Sequence, residues 1–545
     1  MRPADERIGQ RKKQSIARTR AVNPAKAVLL ICAAALLLYA PLLGYSPAYL
    51  AHDEVFYALS AHSIAFTGQD LNGRFLPLYF QWPARLDPHM WFQPIPVYFT
   101  ALFLRVLPVS EWAVRLPTLL VGMTDIVLVY FIAARICQSE LAPIAAAALL
   151  TLTPAHFIHS RLAMDLLYPL PFVLAWFLCL LLFIERRQLW LLFAATSFLG
   201  VGFYSYIGAT VMMPLYFGVT CLTVLKMRLG SVRPLLVAAV GFVLPLTALM
   251  SWWLGHQTAV ADTAARYGLA PLLVPHSGRA LMSLPFLKTI TERISLYWQY
   301  FDPAYLFLAG GGYTLSTTHR VGVFLLPLAV FLVIGLNEIV NRRPTWPNLL
   351  LVFGLLSAPV AACLVGEPYA IQRELEVVPF VVLLATIGAE SLISAGRTLP
   401  RRLAWCVLAL IPLQFSVFYL DYFTQYRVRS AFGFEGNIRG ALEQIIDREQ
   451  TGAVYLSTDV RFVELYWRLY LIKHRREDLL QRTVYFDPRT LDVRIVPRRS
   501  LILMSAANGA SSALVGSGIF RRVSLVANID QTVCCEILEN VSGGI

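Results

Sequence analysis

Long apolar stretches separated by short polar ones fill most of the chain after its first two dozen residues. A helix that crosses a bilayer needs about 20 mostly apolar residues. Eleven segments approach that length: 25–43, 112–134, 141–158, 166–184, 189–206, 210–225, 235–254, 321–336, 349–365, 377–393 and 403–420. A further run, 94–107, is shorter, starts with Pro94 and Pro96, and has the length of an interfacial or re-entrant segment.

Charge placement decides how that run is read, because cytoplasmic loops concentrate Lys and Arg. If 94–107 does not span, the clusters Arg135, Arg186–Arg187, Lys226–Arg228–Arg233, Arg342–Arg343 and Arg397–Arg401–Arg402 all fall on one face. That face is shared with a basic tail, residues 1–24, carrying Arg11, Lys12, Lys13, Arg18 and Arg20. The pattern therefore predicts a multi-pass protein of the plasma (inner) membrane with about eleven spans. The run 25–43, followed by no small-residue cleavage site, is read as a retained first span. The membrane part covers 25–421, with large outside loops at 44–111 and 255–320, a turn around Arg161 and Asp165, and another at 366–376. Residues 422–545 lie outside. Within them, Ile438, Leu442, Ile445 and Ile446 recur at helical spacing over 437–449. Short apolar runs at 454–456, 484–486, 501–504, 523–526 and 533–538 read as strands, so this piece is a small extracytoplasmic α/β domain.

Composition agrees. Of 545 residues, 57% are hydrophobic and only 14% charged, against about 25% charged in a soluble domain. A cytosolic enzyme, a disordered scaffold and a collagen-like fibre are excluded. The net charge of +13 is explained by basic residues at the ends of apolar runs, and no nucleic-acid partner is expected. The eight cysteines lie mostly inside apolar runs, with one vicinal pair, Cys534 and Cys535, and no metal-finger spacing.

Candidate chemistry sits on the outside. His52, Asp53 and Glu54 follow the first span directly. The two acids suit a helix N-terminus and equally suit a general base near a substrate hydroxyl. Asp165 opens the fourth span with Arg161 four residues earlier. This is either a local ion pair or a carboxylate meeting Asp53 at the same depth, where the two would share a divalent metal or divide base and binding roles. His319 and Arg320 follow the triplet Gly310–Gly311–Gly312, and Glu367 and Arg373 occupy the turn 366–376. An outside arginine suits a lipid phosphate, being always charged and bidentate, and also suits interfacial anchoring. Aromatic residues crowd the first loop as a membrane-interface belt. Asp125, in mid-span, is a functional candidate by its cost alone.

The motif His52-Asp53-Glu54-x-x-Tyr57-Ala58 resembles the GT-C superfamily of lipid-linked-sugar glycosyltransferases. Within it, the chain is similar to family 39-type enzymes, the relatives of dolichyl-phosphate-mannose–protein mannosyltransferases and lipid A aminoarabinose transferases. Further matches are Gln93-Pro94-x-Pro96-x-Tyr98, Ala113-x-Arg115-Leu116-Pro117, Arg161-x-x-x-Asp165, the stretch Tyr300-Phe301-x-Pro303-x-Tyr305-Leu306-Phe307, His319-Arg320, and Arg373 before Pro379. The resemblance covers roughly residues 25–440. It implies inverting transfer, at the outer face, from a polyprenyl-phosphate sugar to a hydroxyl of a protein, lipid or cell-envelope glycan. It also implies Asp53 and Glu54 as catalytic acids, with Tyr57, Gln93, Arg161, Asp165, His319, Arg320, Glu367 and Arg373 contacting substrate. Many relatives carry lysine where Gln93 stands. The glycine triplet occupies a place where an acid is common, so the resemblance leaves a divalent metal open. The rival class is a transporter or flippase of a lipid-linked saccharide with Asp125 as its ion site, although no repeat symmetry is visible.

Overall fold

The computed structural model describes residues 23–541 apart from 84, 85, 88, 270–283, 343 and 449–451. The basic tail through residue 22, Arg343 and part of the 255–320 loop lie outside the described residues.

Each of the eleven expected segments carries a helix. Among the described residues six are long and apolar enough to cross a membrane: Glu111–Ile136, Asp165–Arg186, Ala209–Lys226, Arg233–Gly255, Trp346–Val365 and Thr398–Phe423. The others hold the shorter helices Pro24–Tyr39, Ala142–Thr151, Leu189–Gly202, Leu328–Asn337 and Val377–Ile393. The last of these is buried from Val377 through Glu390 and runs through the centre of the bundle. It packs on Leu328–Asn337 through Gly388 and Gly335, where an added Cβ would collide with the facing backbone. Small residues are what permit such close helix approach in a membrane.

Two expected spans are interrupted. The 141–158 segment breaks after Thr151, because Pro154 has no N–H to continue the ladder, and resumes as Pro154–His159. In 321–336 helix begins only at Leu328. Before it the chain is non-helical, a run of bends and a turn, with the Val323 and Phe324 amides donating to the carbonyls of Tyr305 and Leu306, and backbone atoms of Leu306 and Phe307 leave room only for glycine at 322. The ambiguous run forms an 11-residue helix, Pro94–Leu104. At 1.5 Å per residue it is about 16 Å long, half the thickness of a hydrocarbon core.

One end of the bundle is covered by two pieces. The first loop contributes the helix His52–Thr67 and a minimal hairpin of β1 (Phe80–Gln81) and β2 (Trp91–Phe92). The C-terminal domain is a five-stranded sheet of β3 (Val454–Ser457), β4 (Thr483–Phe486), β5 (Leu501–Ser505), β6 (Phe520–Ala527) and β7 (Val533–Asn540), in the order β4-β3-β5-β7-β6. β3 pairs parallel with β4 and β5, and β7 pairs antiparallel with β5 and β6. The helices Ile438–Ile446 and Val463–His474 cover it. Val463–His474 also docks the domain onto the first loop. Tyr466 donates to the Leu50 carbonyl at 2.7 Å, and Lys473 Nζ sits 3.0 Å from Glu111. From the β6–β7 connection, the Ile529 amide donates to the Tyr49 hydroxyl at 3.1 Å.

Candidate active site

The helix His52–Thr67 begins at its acids. Glu54, its third residue, turns back so that Oε2 accepts from the Ala51 amide at 3.0 Å, satisfying one of the orphan donors of the helix start. The same carboxylate does more. Arg115 grips it through Nε (2.8 Å) and an Nη (3.0 Å), and the Ala163 amide donates to Oε1 at 2.9 Å. Both partners of this ion pair are essentially inaccessible to water. Arg115 also donates to the carbonyls of Leu43, Pro47 and Tyr49. Glu54 therefore ties the start of the Asp53 helix to the residue two before Asp165.

Arg161 works on the same loop from below. Its guanidinium donates to the carbonyls of Tyr39, Pro41, Leu42 and Ser46 and lies against the rings of Phe157, Tyr422 and Phe423. It is engaged by backbone rather than by Asp165. With the loop pinned this way, Asp53 and Asp165 open into one cavity of ≈ 770 Å³, within the range of ligand sites. Gln93, at the foot of the Pro94–Leu104 helix, lines it too, as do Glu367 and Arg373.

Arg373 sits on the short turn Ile371–Arg373. Its Nε and one Nη hold Glu367 at 2.7 and 2.9 Å, the other Nη reaches the Tyr206 hydroxyl at 3.3 Å, and the Tyr267 ring lies 5.3 Å away. Burial works against its charge, but the Glu367 hydrogen bonds outweigh it and the group stays firmly protonated. Beneath it, burial raises Glu374 well above the usual carboxylate range and pushes Glu376 up to about 7. Glu374 also accepts from the Tyr305 hydroxyl. Asp53 is 31% exposed, and its pKa is raised mainly by desolvation, against the lowering fields of His52 and Arg266.

Of the residues singled out in the sequence, Asp53, Gln93, Asp165, Glu367 and Arg373 line this cavity. Glu54 and Arg161 lie behind it as described. Tyr57 is buried beside it, its hydroxyl facing Asp165 without normal hydrogen-bond geometry. His319 and Arg320 are exposed and lie outside the lining. The structure adds Arg266, Tyr206, Tyr267 and Tyr313 to the lining. Arg266 carried a readable signal, since it is an arginine in a loop that the charge pattern puts outside; the tyrosines did not stand out among so many aromatics. Among the described residues no three His, Cys, Asp or Glu side chains converge as metal ligands.

Comparison with known proteins adds three findings. The family model described as dolichyl-phosphate-mannose-protein mannosyltransferase matches residues 89–253, a stretch containing Gln93, Arg115, Asp165 and Tyr206. No curated protein sequence matches. Among solved structures, ArnT from Cupriavidus metallidurans in the apo state aligns with a TM-score of 0.57 at 15% identity, covering 94% of this chain and 98% of that one. The same protein bound to undecaprenyl phosphate aligns with a TM-score of 0.55, at the same identity and coverage. The chain has the fold of ArnT over nearly its whole length, and its residues 89–253 resemble the dolichyl-phosphate-mannose-protein mannosyltransferases.

Proposed function

We propose that the protein is a membrane glycosyltransferase that moves a sugar from a polyprenyl-phosphate donor to an acceptor hydroxyl at the outer face of the membrane. One observation carries this reading: a desolvated carboxylate pair, Asp53 and Asp165, and a rigidly held arginine, Arg373, open into a single cavity at the covered end of the bundle. Asp53 accepts the proton of the acceptor hydroxyl as its oxygen bonds to the anomeric carbon. The bond from that carbon to the phosphate oxygen breaks, and the phosphate leaves with the electron pair. A single displacement of this kind inverts the anomeric centre. Arg373 balances the charge that grows on the leaving phosphate; Glu367 already engages its bidentate fork, the geometry in which it would take an anion. Gln93 and Asp165 contact the sugar and acceptor. The fold likeness to ArnT, one of whose structures holds undecaprenyl phosphate, supports the choice of lipid carrier. A donor already activated on a lipid needs no nucleotide.

The alternative is a transporter with Asp125 as its ion site. Asp125 is fully buried, with His156 Nε2 3.5 Å away, inside the bundle and off the cavity, which favours the transferase reading of the cavity. Sugar transfer from a polyprenyl-phosphate donor by the purified protein in detergent, where no transport can occur, tests the proposal. Donor-dependent product is expected, and failure with every donor and acceptor class would return the transporter to first place.

A further inference from the structure

Beyond the cavity, one residue joins the Asp53 helix to the C-terminal domain. His52 places Nε2 3.6 Å from Asp53 Oδ1 and Nδ1 3.0 Å from Glu435 Oε1. A neutral imidazole has one N–H and one lone pair; Nδ1 donates to Glu435, and only the imidazolium also turns a positively charged N–H edge toward Asp53, at ion-pair rather than hydrogen-bond distance. The ring is stacked on Phe462, centroids 4.4 Å apart and planes within 16°, and Trp82 of the hairpin flanks both. Arg461 lies 3.5 Å from the same Glu435 oxygen. The two residues that grip the ring have left-handed backbones, Glu435 at φ 59° and Phe462 at φ 55°. Non-glycine residues rarely adopt that region, aromatic ones least readily, and such conformations persist where surrounding contacts over-determine them.

We propose that the C-terminal domain completes the active site, Glu435 and Phe462 clamping His52 as a positioning residue that fixes Asp53 for the acceptor. The proposal rests on the glycosyl-transfer reading. The imidazolium edge faces the Asp53 carboxylate at ion-pair distance, so the charge of His52 biases that carboxylate toward one orientation in the cavity before any substrate arrives. The charged and titratable groups acting on the clamp are Asp53, Glu435 and Arg461 on His52, and His52, Arg266, Glu54, Glu435 and, across the cavity, Asp165 on Asp53, with the hydroxyls of Tyr57, Tyr313 and Tyr466 also facing these acids. Burial lowers the His52 pKa, and the Glu435 hydrogen bond with the Asp53 charge more than reverses it.

The test uses the full-length protein in detergent with Glu435→Gln, His52→Gln and Phe462→Leu, and Glu435→Asp as the conservative partner. Misplacing a reacting group by about an ångström costs up to roughly 100-fold, so kcat should fall about 10-fold or more in the first three variants while the donor KM stays within about threefold. In Glu435→Gln the alkaline limb of kcat should move to lower pH, because the carboxylate that holds the proton on His52 is gone; Glu435→Asp should restore part of both. A merely structural contact would lower the yield of folded protein without moving that limb. Unchanged kcat and pH profile in folded Glu435→Gln would overturn the clamp. An activity-independent measurement separates this from the function itself: the rate at which diethylpyrocarbonate modifies His52, followed by mass spectrometry. Faster modification in Glu435→Gln than in wild type supports the clamp even if no donor is ever turned over, and equal rates overturn it even if transfer is robust.

Discussion

Glu54 is the place where chemistry and scaffold make opposite predictions. The adjacent acids suggest a second catalytic carboxylate; the geometry assigns Glu54 four hydrogen bonds, two from Arg115 and one each from the Ala51 and Ala163 amides. Glu54→Gln keeps the shape but replaces one oxygen with an NH2. Each oxygen serves two donors, so whichever is replaced, two N–H groups face another donor in a site closed to water. An unsatisfied buried donor costs about 1–3 kcal/mol, and leaving a buried partner charge uncompensated costs about 3–5 kcal/mol. The two overlap, so a loss of about 3–5 kcal/mol is expected, a large part of a typical folding free energy of about 5–15 kcal/mol. Heating the detergent-solubilised protein and measuring the monodisperse fraction reads this directly as a clearly lowered midpoint. Replacing both partners with leucine should not rescue it, because Arg115 also satisfies the carbonyls of Leu43, Pro47 and Tyr49. A wild-type midpoint in Glu54→Gln, together with a loss of turnover, would refute the argument and make Glu54 a reacting group.

Asp53→Asn should insert and fold normally yet lose about 10²-fold or more in kcat, the order expected for a missing general base. Because desolvation raises the Asp53 pKa and the base acts only when ionised, wild-type kcat/KM should decline on acidification from a pH above the ordinary carboxylate range; a profile flat to the exposed-aspartate range would contradict this. Arg373→Ala removes a charge-assisted phosphate contact of about 1.5–3 kcal/mol, so the donor KM should rise roughly 10- to 150-fold. A cysteine at Gln81 should react with an impermeant thiol reagent added outside and one at Gln188 should not; the reverse pattern would place the cavity on the wrong face.

The helices were legible because burial in lipid demands apolar runs of a given length, and no other signal in a sequence is as strong. What the runs did not show was where backbone hydrogen bonding leaves the helix. The non-helical stretch before Leu328 is as apolar as a span, and what sets it apart is that its amides bond to the Tyr305 and Leu306 carbonyls. Within the site, Asp53 and Glu54 are neighbours of the same chemical type, and sequence cannot say which faces the cavity. One turns outward and the other inward because Arg115 and Ala163, brought up by other helices, supply four donors in all with Ala51 on one side only. Arg161 misled for the same reason: an arginine four residues from an acid suggests a pair, whereas the nearest unmet acceptors are the carbonyls of the loop above it. The tyrosines of the cavity lacked any period or spacing to mark them.

The contacts that shape the first loop reach across almost the entire chain. Ser46 donates to the Tyr422 carbonyl at 2.8 Å, His52 meets Glu435, Leu50 is held by Tyr466 and Tyr49 by Ile529. A ribosome delivers these partners in order, and membrane helices enter the bilayer as they emerge. With the cavity facing outward as proposed, Asp53 is translocated long before Glu435 and Phe462, the residues of the proposed clamp, are made. During that interval the loop has Arg115 and Arg161 to hold its fold but no clamp to aim its carboxylate. On that reading a chain stalled before Glu435 would sit in the membrane inert, and competence to react waits on the arrival of the domain that follows the last span.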